Sequence, residues 1–97
     1  MRYELFIREY LPAIRAMIAK KLMELGLTQQ EIADKLYLTQ PAIALYKKNL
    51  RGKRVEELEK NEEVKRKVEE IARKIMTKNL KAEEIEKEYL EIFNLIF

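Results

Sequence analysis

The sequence predicts an all-α protein, a helical bundle with a C-terminal helical extension. Apolar residues recur at every third or fourth position through most of the chain, which is the spacing of one face of an α-helix. Residues that favour helix starts precede several of these segments, and no segment alternates apolar and polar residues as a strand does. The chain has 97 residues, of which 47% are hydrophobic. This size allows one core, with a main domain in residues 1–60 and the extension in residues 61–97.

Proline and glycine mark the ends of the first elements. Pro12 interrupts the apolar spacing that begins at Tyr3, and proline is favoured in the first turn of a helix. We therefore expect a short helix ending near Tyr10 and a second helix beginning at Pro12. Gly26 ends that second helix as its C-cap.

Two short helices with a cap at each start follow in residues 28–46. The Thr28 hydroxyl can cap the first of them, and Glu31 lies three residues later, where it completes a capping box. Thr39 can cap the second helix, and Pro41 falls in the first turn, where no helical N–H is lost. The spacing therefore predicts two helices joined by a tight turn near Tyr37.

The remaining segments also have helical patterns. Val55 to Glu59 has the pattern of one short helix, and Asn61 followed by two acids is a favourable helix start. That helix runs to about Thr77, and the last helix runs from Ala82 to the chain end after a break at residues 78–81. The acidic pairs of this region have lysines four residues on, as in Glu63–Lys67, Glu70–Lys74 and Glu83–Lys87.

Positive charge is concentrated directly after the second capped helix. Residues 28–54 hold six cations and two anions, whereas residues 55–97 hold nine cations and twelve anions. Five cations without an anion follow Tyr46, namely Lys47, Lys48, Arg51, Lys53 and Arg54. A helix pair beside a basic loop is the arrangement with which small proteins bind DNA.

The run from Leu27 to Tyr46 resembles the DNA-reading unit of the lambda-repressor-like (Cro/CI-type, XRE) helix-turn-helix family. The pattern Gln-x-Glu-Ile-Ala, followed by Leu-Thr-Gln-x-Ala-Ile-x-x-Tyr, carries the resemblance, and residues 11–54 resemble small archaeal predicted transcription regulators of that class. The resemblance implies a lambda-repressor-like helix-turn-helix bundle in residues 1–60. It also implies a recognition helix over Thr39–Lys48 that lies in the DNA major groove.

The resemblance assigns roles within this unit. Gln29 would contact a phosphate, and Gln40 would read the first base, since a glutamine amide pairs with adenine N6 and N7. Three apolar residues would contact thymine methyls in the groove, and the basic run would contact the backbone. The predicted DNA-binding residues are Thr28, Gln29, Thr39, Gln40, Pro41, Ala44, Leu45, Lys47, Lys48, Asn49, Arg51, Lys53 and Arg54.

Tyr37 is the main departure from the family pattern. The family usually has glycine there, because the turn needs a positive φ, so either the turn is reshaped or the packing carries the strain. Ala44 and Leu45 replace residues that are commonly polar, so the groove face is unusually apolar.

The C-terminal segment is apolar enough to require burial, either against this chain or against a second copy. We predict a homodimer through the extension, since readers of this class bind paired half-sites. The Tyr3–Tyr10 helix is a possible second contributor. The predicted interface residues are Val68, Ile71, Ile75, Ile85, Tyr89, Ile92, Phe93, Ile96 and Phe97.

Composition argues against several other functions. The chain has no Cys and no His, no phosphate-binding glycine loop and no apolar run of the roughly 18 residues that span a membrane. We expect no enzyme, metal, cofactor or small-molecule ligand, and a cytoplasmic protein. Repression is favoured over activation because the length leaves no room for an effector domain. A protein-interaction module (antitoxin-like or adaptor) and a non-specific architectural DNA binder remain the alternatives.

Overall fold

The computed structural model describes residues 1–48, 50 and 52–97, and all regular structure in this part of the chain is helical. The described residues form seven α-helices and one π-helical turn, which follow each other in sequence. The helices are α1 (Arg2–Leu5), α2 (Leu11–Glu24), α3 (Gln29–Leu36), α4 (Gln40–Lys48), α5 (Lys53–Glu59), α6 (Glu62–Thr77) and α7 (Ala82–Ile96). No helix among the described residues is both long and apolar enough to cross a membrane.

The predicted break before Pro12 is wrong. A π-helical turn, Phe6–Tyr10, joins α1 to α2 without interruption, and the Leu11 N–H donates to the Phe6 carbonyl five residues back. Pro12 has no N–H for the ordinary bond and its ring crowds the preceding turn. The wider π turn accommodates the proline, so the chain remains helical from Arg2 to Glu24.

The predicted caps are present. The Asn61 side chain accepts hydrogen bonds from the Glu63 and Val64 N–H groups at 3.1 and 3.2 Å, which starts α6. Gly26, with φ of +103°, takes the left-handed position after α2, and the Leu27 N–H then bonds the Leu22 carbonyl at 3.0 Å. These local bonds fix where α2 ends and where α6 begins.

Helix α2 lies at the centre, where it packs against α3, α4, α5 and α6. Its side chains Ile14, Ile18 and Leu22 are fully buried. They belong to one hydrophobic cluster that also contains Ile32 of α3 and Ile43 of α4. The buried residues of α6 and α7 belong to the same cluster, so residues 61–97 share a core with residues 1–60.

Helix α7 packs against its own chain. The apolar pattern of the C-terminal segment allows this arrangement as well as burial against a second copy. The Phe93 ring meets the Phe6 ring edge-on at 5.2 Å, and Phe97 meets Tyr10 at 5.5 Å. Six of the predicted interface residues are core residues of the single chain, which corrects their assignment: Val68, Ile71, Ile75, Ile85, Tyr89 and Ile92. Phe93 and Ile96 are partly buried against that core, and Phe97 is exposed over 38% of its surface.

Ion pairs also hold α7 to α6. The Glu88 carboxylate lies 2.8 Å from Lys67 Nζ and 2.8 Å from Lys74 Nζ, and Glu91 also pairs with Lys67. Burial raises the pKa of Glu88, but hydrogen bonds and charge from the two lysines outweigh it and leave that pKa below its usual value. The expected Glu70–Lys74 pair is present at 3.2 Å. Lys67, predicted to pair with Glu63, turns towards α7 instead.

Candidate nucleic-acid interface

The turn between α3 and α4 keeps the left-handed conformation that usually requires glycine. Tyr37 has φ of 58° and ψ of 41°. The Leu38 N–H bonds the Ala33 carbonyl at 2.9 Å, as in the hydrogen-bonded ending that follows many helices. The turn is therefore not reshaped, and Tyr37 carries a strain of about 1–2 kcal/mol.

A long-range hydrogen bond holds Tyr37 in this conformation. Its hydroxyl donates to the Leu80 carbonyl at 2.5 Å, across 43 residues of sequence. Leu80 lies in the connection between α6 and α7, and the exposed Lys78 and Lys81 flank it there. The sequence pattern indicates only a break in this connection, since no local pattern can show which distant segment a tyrosine reaches.

Both helices of the pair start at their predicted caps. The Glu31 N–H donates to the Thr28 hydroxyl at 3.1 Å, and the Thr28 N–H donates to the Glu31 carboxylate at 2.9 Å. These bonds lower the pKa of Glu31, so the capping box is kept in its charged form. The Ala42 N–H donates to the Thr39 hydroxyl at 3.3 Å, which caps α4. Side-chain hydrogen bonds therefore fix both helix starts of the predicted interface.

The outward face of α4 is mixed in character. Ile43 is buried beneath it, whereas Gln40, Pro41 and Leu45 are exposed, and 55% of the Leu45 surface is accessible to solvent. Ala44 is partly exposed between them. This surface therefore begins with one amide group and continues with apolar side chains.

Exposed cations follow on the last turn of α4. Lys47 and Lys48 are exposed and make no ion pair with any described residue, and Lys53 at the start of α5 is exposed as well. Thr28 and Thr39 are exposed at the helix starts, and Gln29 is partly buried at the start of α3. The predictions for Asn49 and Arg51 lie outside the described residues.

Arg54 does not belong to this group, which corrects its assignment as a phosphate contact. Its guanidinium donates to Glu9 at 2.7 and 3.0 Å, to Glu57 at 3.0 Å and to the Tyr10 hydroxyl at 3.0 Å. It also lies over the Tyr10 ring at 4.5 Å. The Glu9 carboxylate is the main cause that raises the pKa of Arg54 above its usual value. Arg54 therefore links α5 to the π turn, and its guanidinium N–H groups donate to side chains of the same chain.

The described residues between 28 and 53 therefore include the two capped helix starts, the partly apolar face of α4 and three exposed lysines. No group of acidic side chains among them is suited to hold a metal ion. No protein-family model, curated protein or solved structure matches this chain. The arrangement itself is therefore the basis for a functional assignment.

Proposed function

We propose that the protein is a sequence-specific DNA-binding transcription regulator that acts by occupying its operator as a homodimer. The observation that carries the proposal is the exposed face of α4, with Gln40 at its start and Lys47 and Lys48 at its end. The resemblance of residues 27–46 to the lambda-repressor-like helix-turn-helix unit supports it, as do the two caps and the left-handed turn.

The dimensions and chemistry of α4 suit the major groove. Its nine residues form a rod about 13 Å long, and the groove of B-DNA, about 12 Å wide, admits a helix. The Gln40 amide can donate to N7 and accept from N6 of adenine. Pro41 and Leu45 cannot form side-chain hydrogen bonds, and their methylene and methyl groups can pack on thymine methyls.

Phosphate contacts would hold the helix in register. Lys47 and Lys48 at the end of α4 and Lys53 at the start of α5 supply three charges, and Gln29 with the first N–H groups of α3 supplies further donors. Such contacts add affinity that is independent of sequence and falls with salt. Specificity then depends on the short row of Gln40, Pro41 and Leu45.

One observation favours a second candidate function. Pro41, Ala44 and Leu45 form an apolar stretch on the surface that would read DNA, and such a stretch also suits a protein partner. A protein-interaction module would bind its partner with the same face and would make no contact to DNA phosphates. It would bind independently of Lys47 and Lys48.

The variant Gln40→Ala tests the proposal directly. We expect it to weaken binding to the preferred site by about 1–3 kcal/mol and to leave binding to unrelated DNA unchanged, because only a base contact distinguishes the two. Fluorescence anisotropy with a specific and a scrambled duplex measures both. The matched control is Gln30→Ala, since Gln30 is also exposed but bonds Asp34 within α3 at 2.9 Å. Equal loss on both duplexes would indicate a non-specific architectural binder, and no binding to either would favour the protein-interaction module.

A further inference from the structure

The two ends of the chain form an apolar groove. The side chains of Tyr3 and Ile7 make one wall and Leu90 of α7 makes the other, with Leu11 and Tyr89 at the floor. The exposed fractions of the three wall residues are 55%, 45% and 46%. Such a contiguous apolar surface on one side of a protein marks an interaction site, whereas single exposed apolar residues do not.

The exposed apolar residues are concentrated at these chain ends. Ten large apolar side chains are exposed in the described part of the chain, and six of them lie in residues 1–7 or 90–97. The six are Met1, Tyr3, Ile7, Leu90, Leu95 and Phe97. Three of these six, Tyr3, Ile7 and Leu90, line the groove.

A cation that has no counter-ion among the described residues lies in the same groove. Arg15 is partly buried, and its guanidinium lies 5.4 Å from the centre of the Tyr89 ring. Its Nε atom is shielded from solvent and makes no hydrogen bond, and the guanidinium pairs with no carboxylate of the described residues. Burial acts to lower the pKa of Arg15, but the Tyr89 and Tyr46 phenols outweigh it and leave that pKa above its usual value. The guanidinium therefore stays charged. A partly buried cation without an anion carries a desolvation cost, which an anion at hydrogen-bonding distance offsets.

Three of the other five partly buried cations among the described residues, Arg54, Lys67 and Lys74, are paired, whereas Lys21 and Lys35 make no ion pair there. Arg54 binds Glu9 and Glu57, and Lys67 binds Glu88. Glu86 is the acid that lines the groove with Arg15. Glu86 is exposed and makes no ion pair with a described residue, so one cation and one anion are unmatched in one apolar groove.

We propose that this groove is the interface of a two-fold symmetric homodimer, in which Arg15 of each copy pairs with Glu86 of the other. A two-fold interface brings the same patch of both copies together, so one unmatched cation and one unmatched anion become two matched pairs. The apolar side chains Tyr3, Ile7 and Leu90 then cover each other around these pairs. The groove is thereby the dimer surface of the proposed function, on which this inference rests, and the dimer itself can be measured without DNA.

The position of Arg15 relates this interface to α4. Tyr46 of α4 lies close enough to raise the pKa of Arg15, and α2 packs along α4. By symmetry, a two-fold dimer joined at this groove has one α4 helix on each side of its axis. Two recognition helices in a symmetric pair are the arrangement that paired half-sites require.

Charge exchange between two variants tests the pairing. Sedimentation velocity of the full chain without DNA should show a concentration-dependent dimer, and Arg15→Glu or Glu86→Arg alone should weaken dimerisation at least about a hundredfold, because each places two like-charged pairs at the interface. An equimolar mixture of the two variants should recover the dimer. In the mixed dimer, the carboxylate introduced by Arg15→Glu in one copy faces the guanidinium introduced by Glu86→Arg in the other, and the second pair is native.

Charge changes on a different surface are the controls for this interface. Arg66→Glu and Glu62→Arg change the same charges on the exposed face of α6 and should leave the dimer unchanged. If Arg15→Glu loses its folded circular dichroism spectrum, Ile7→Lys and Leu90→Lys test the same surface from exposed positions.

Three results would overturn the proposed interface. The first is a protein that is monomeric up to about 200 µM, far above a micromolar dissociation constant. The second is a set of single variants that dimerise like the parent, and the third is a mixture of the two variants that stays monomeric. DNA binding by a monomer would leave the proposed DNA contact intact, so the two proposals fail separately.

Discussion

Removing the two lysines at the end of α4 gives the most quantitative prediction. Lys47 and Lys48 are exposed and unpaired among the described residues, so each can neutralise one phosphate. Each such contact contributes a slope of about −0.9 to a plot of log K against log salt concentration. The double variant Lys47→Ala, Lys48→Ala should therefore reduce the magnitude of this slope by about 1.8.

The same relation gives the loss of affinity. One contact contributes about eightfold at 0.1 M salt relative to 1 M, so two contacts contribute about sixtyfold, or about 2.4 kcal/mol. Anisotropy titrations of one duplex between 50 and 300 mM salt, at about six concentrations, measure slope and affinity together. The control is Lys65→Ala, Lys87→Ala, which removes the same charge from exposed positions on α6 and α7. An unchanged slope, or an equal loss in the control, would refute the phosphate contacts.

Three further predictions concern stability and base reading. Tyr37→Phe should lower the free energy of unfolding by about 1 kcal/mol, because it loses the bond to Leu80 but keeps the left-handed strain. Tyr37→Gly should be more stable than Tyr37→Phe in urea unfolding, since glycine relieves that strain; the reverse order would contradict the strained turn. Glu88→Gln should cost about 2 kcal/mol at pH 7, because the neutral amide loses the charge and one of the two accepting oxygens that pair with Lys67 and Lys74. Because the pKa of Glu88 is lowered on folding, this difference is present above the usual carboxyl pKa and should be lost as the pH falls through the lowered pKa. Thermal melting of both proteins from neutral to acidic pH measures the difference, and one that stays constant would contradict the charge pairing. Leu45→Ala should leave stability unchanged within about 0.5 kcal/mol but reduce the preference for thymine at one position of a selected site; an unaltered site preference would exclude the methyl contact.

The local chemistry of this chain could be predicted from its sequence. The caps at Thr28, Thr39 and Asn61, and the C-cap at Gly26, depend on residues at most a few positions apart. Their side chains can reach only neighbouring backbone groups, so the sequence determines the bonds. For the same reason the exposed face of α4 followed from the helical spacing of Ile43 and its neighbours.

Features that depend on distant residues could not be predicted in this way. Arg54 has the sequence context of one more cation in a basic run, but Glu9 and Tyr10 reach it across more than 40 residues. Pro12 predicted a break, and a π turn accommodated it because the apolar side chains on both sides belong to one core. The apolar face of α7 could be covered by the same chain or by another, since periodicity shows that a face needs burial and not what buries it.

Selection of genomic DNA by the purified protein, at a low and a high salt concentration, tests the proposed DNA reading most directly. We expect an enriched pair of half-sites, related by two-fold symmetry, that survives the higher salt. Uniform binding that disappears with salt would contradict base reading by α4. Failure to retain any DNA at low salt would contradict DNA binding altogether.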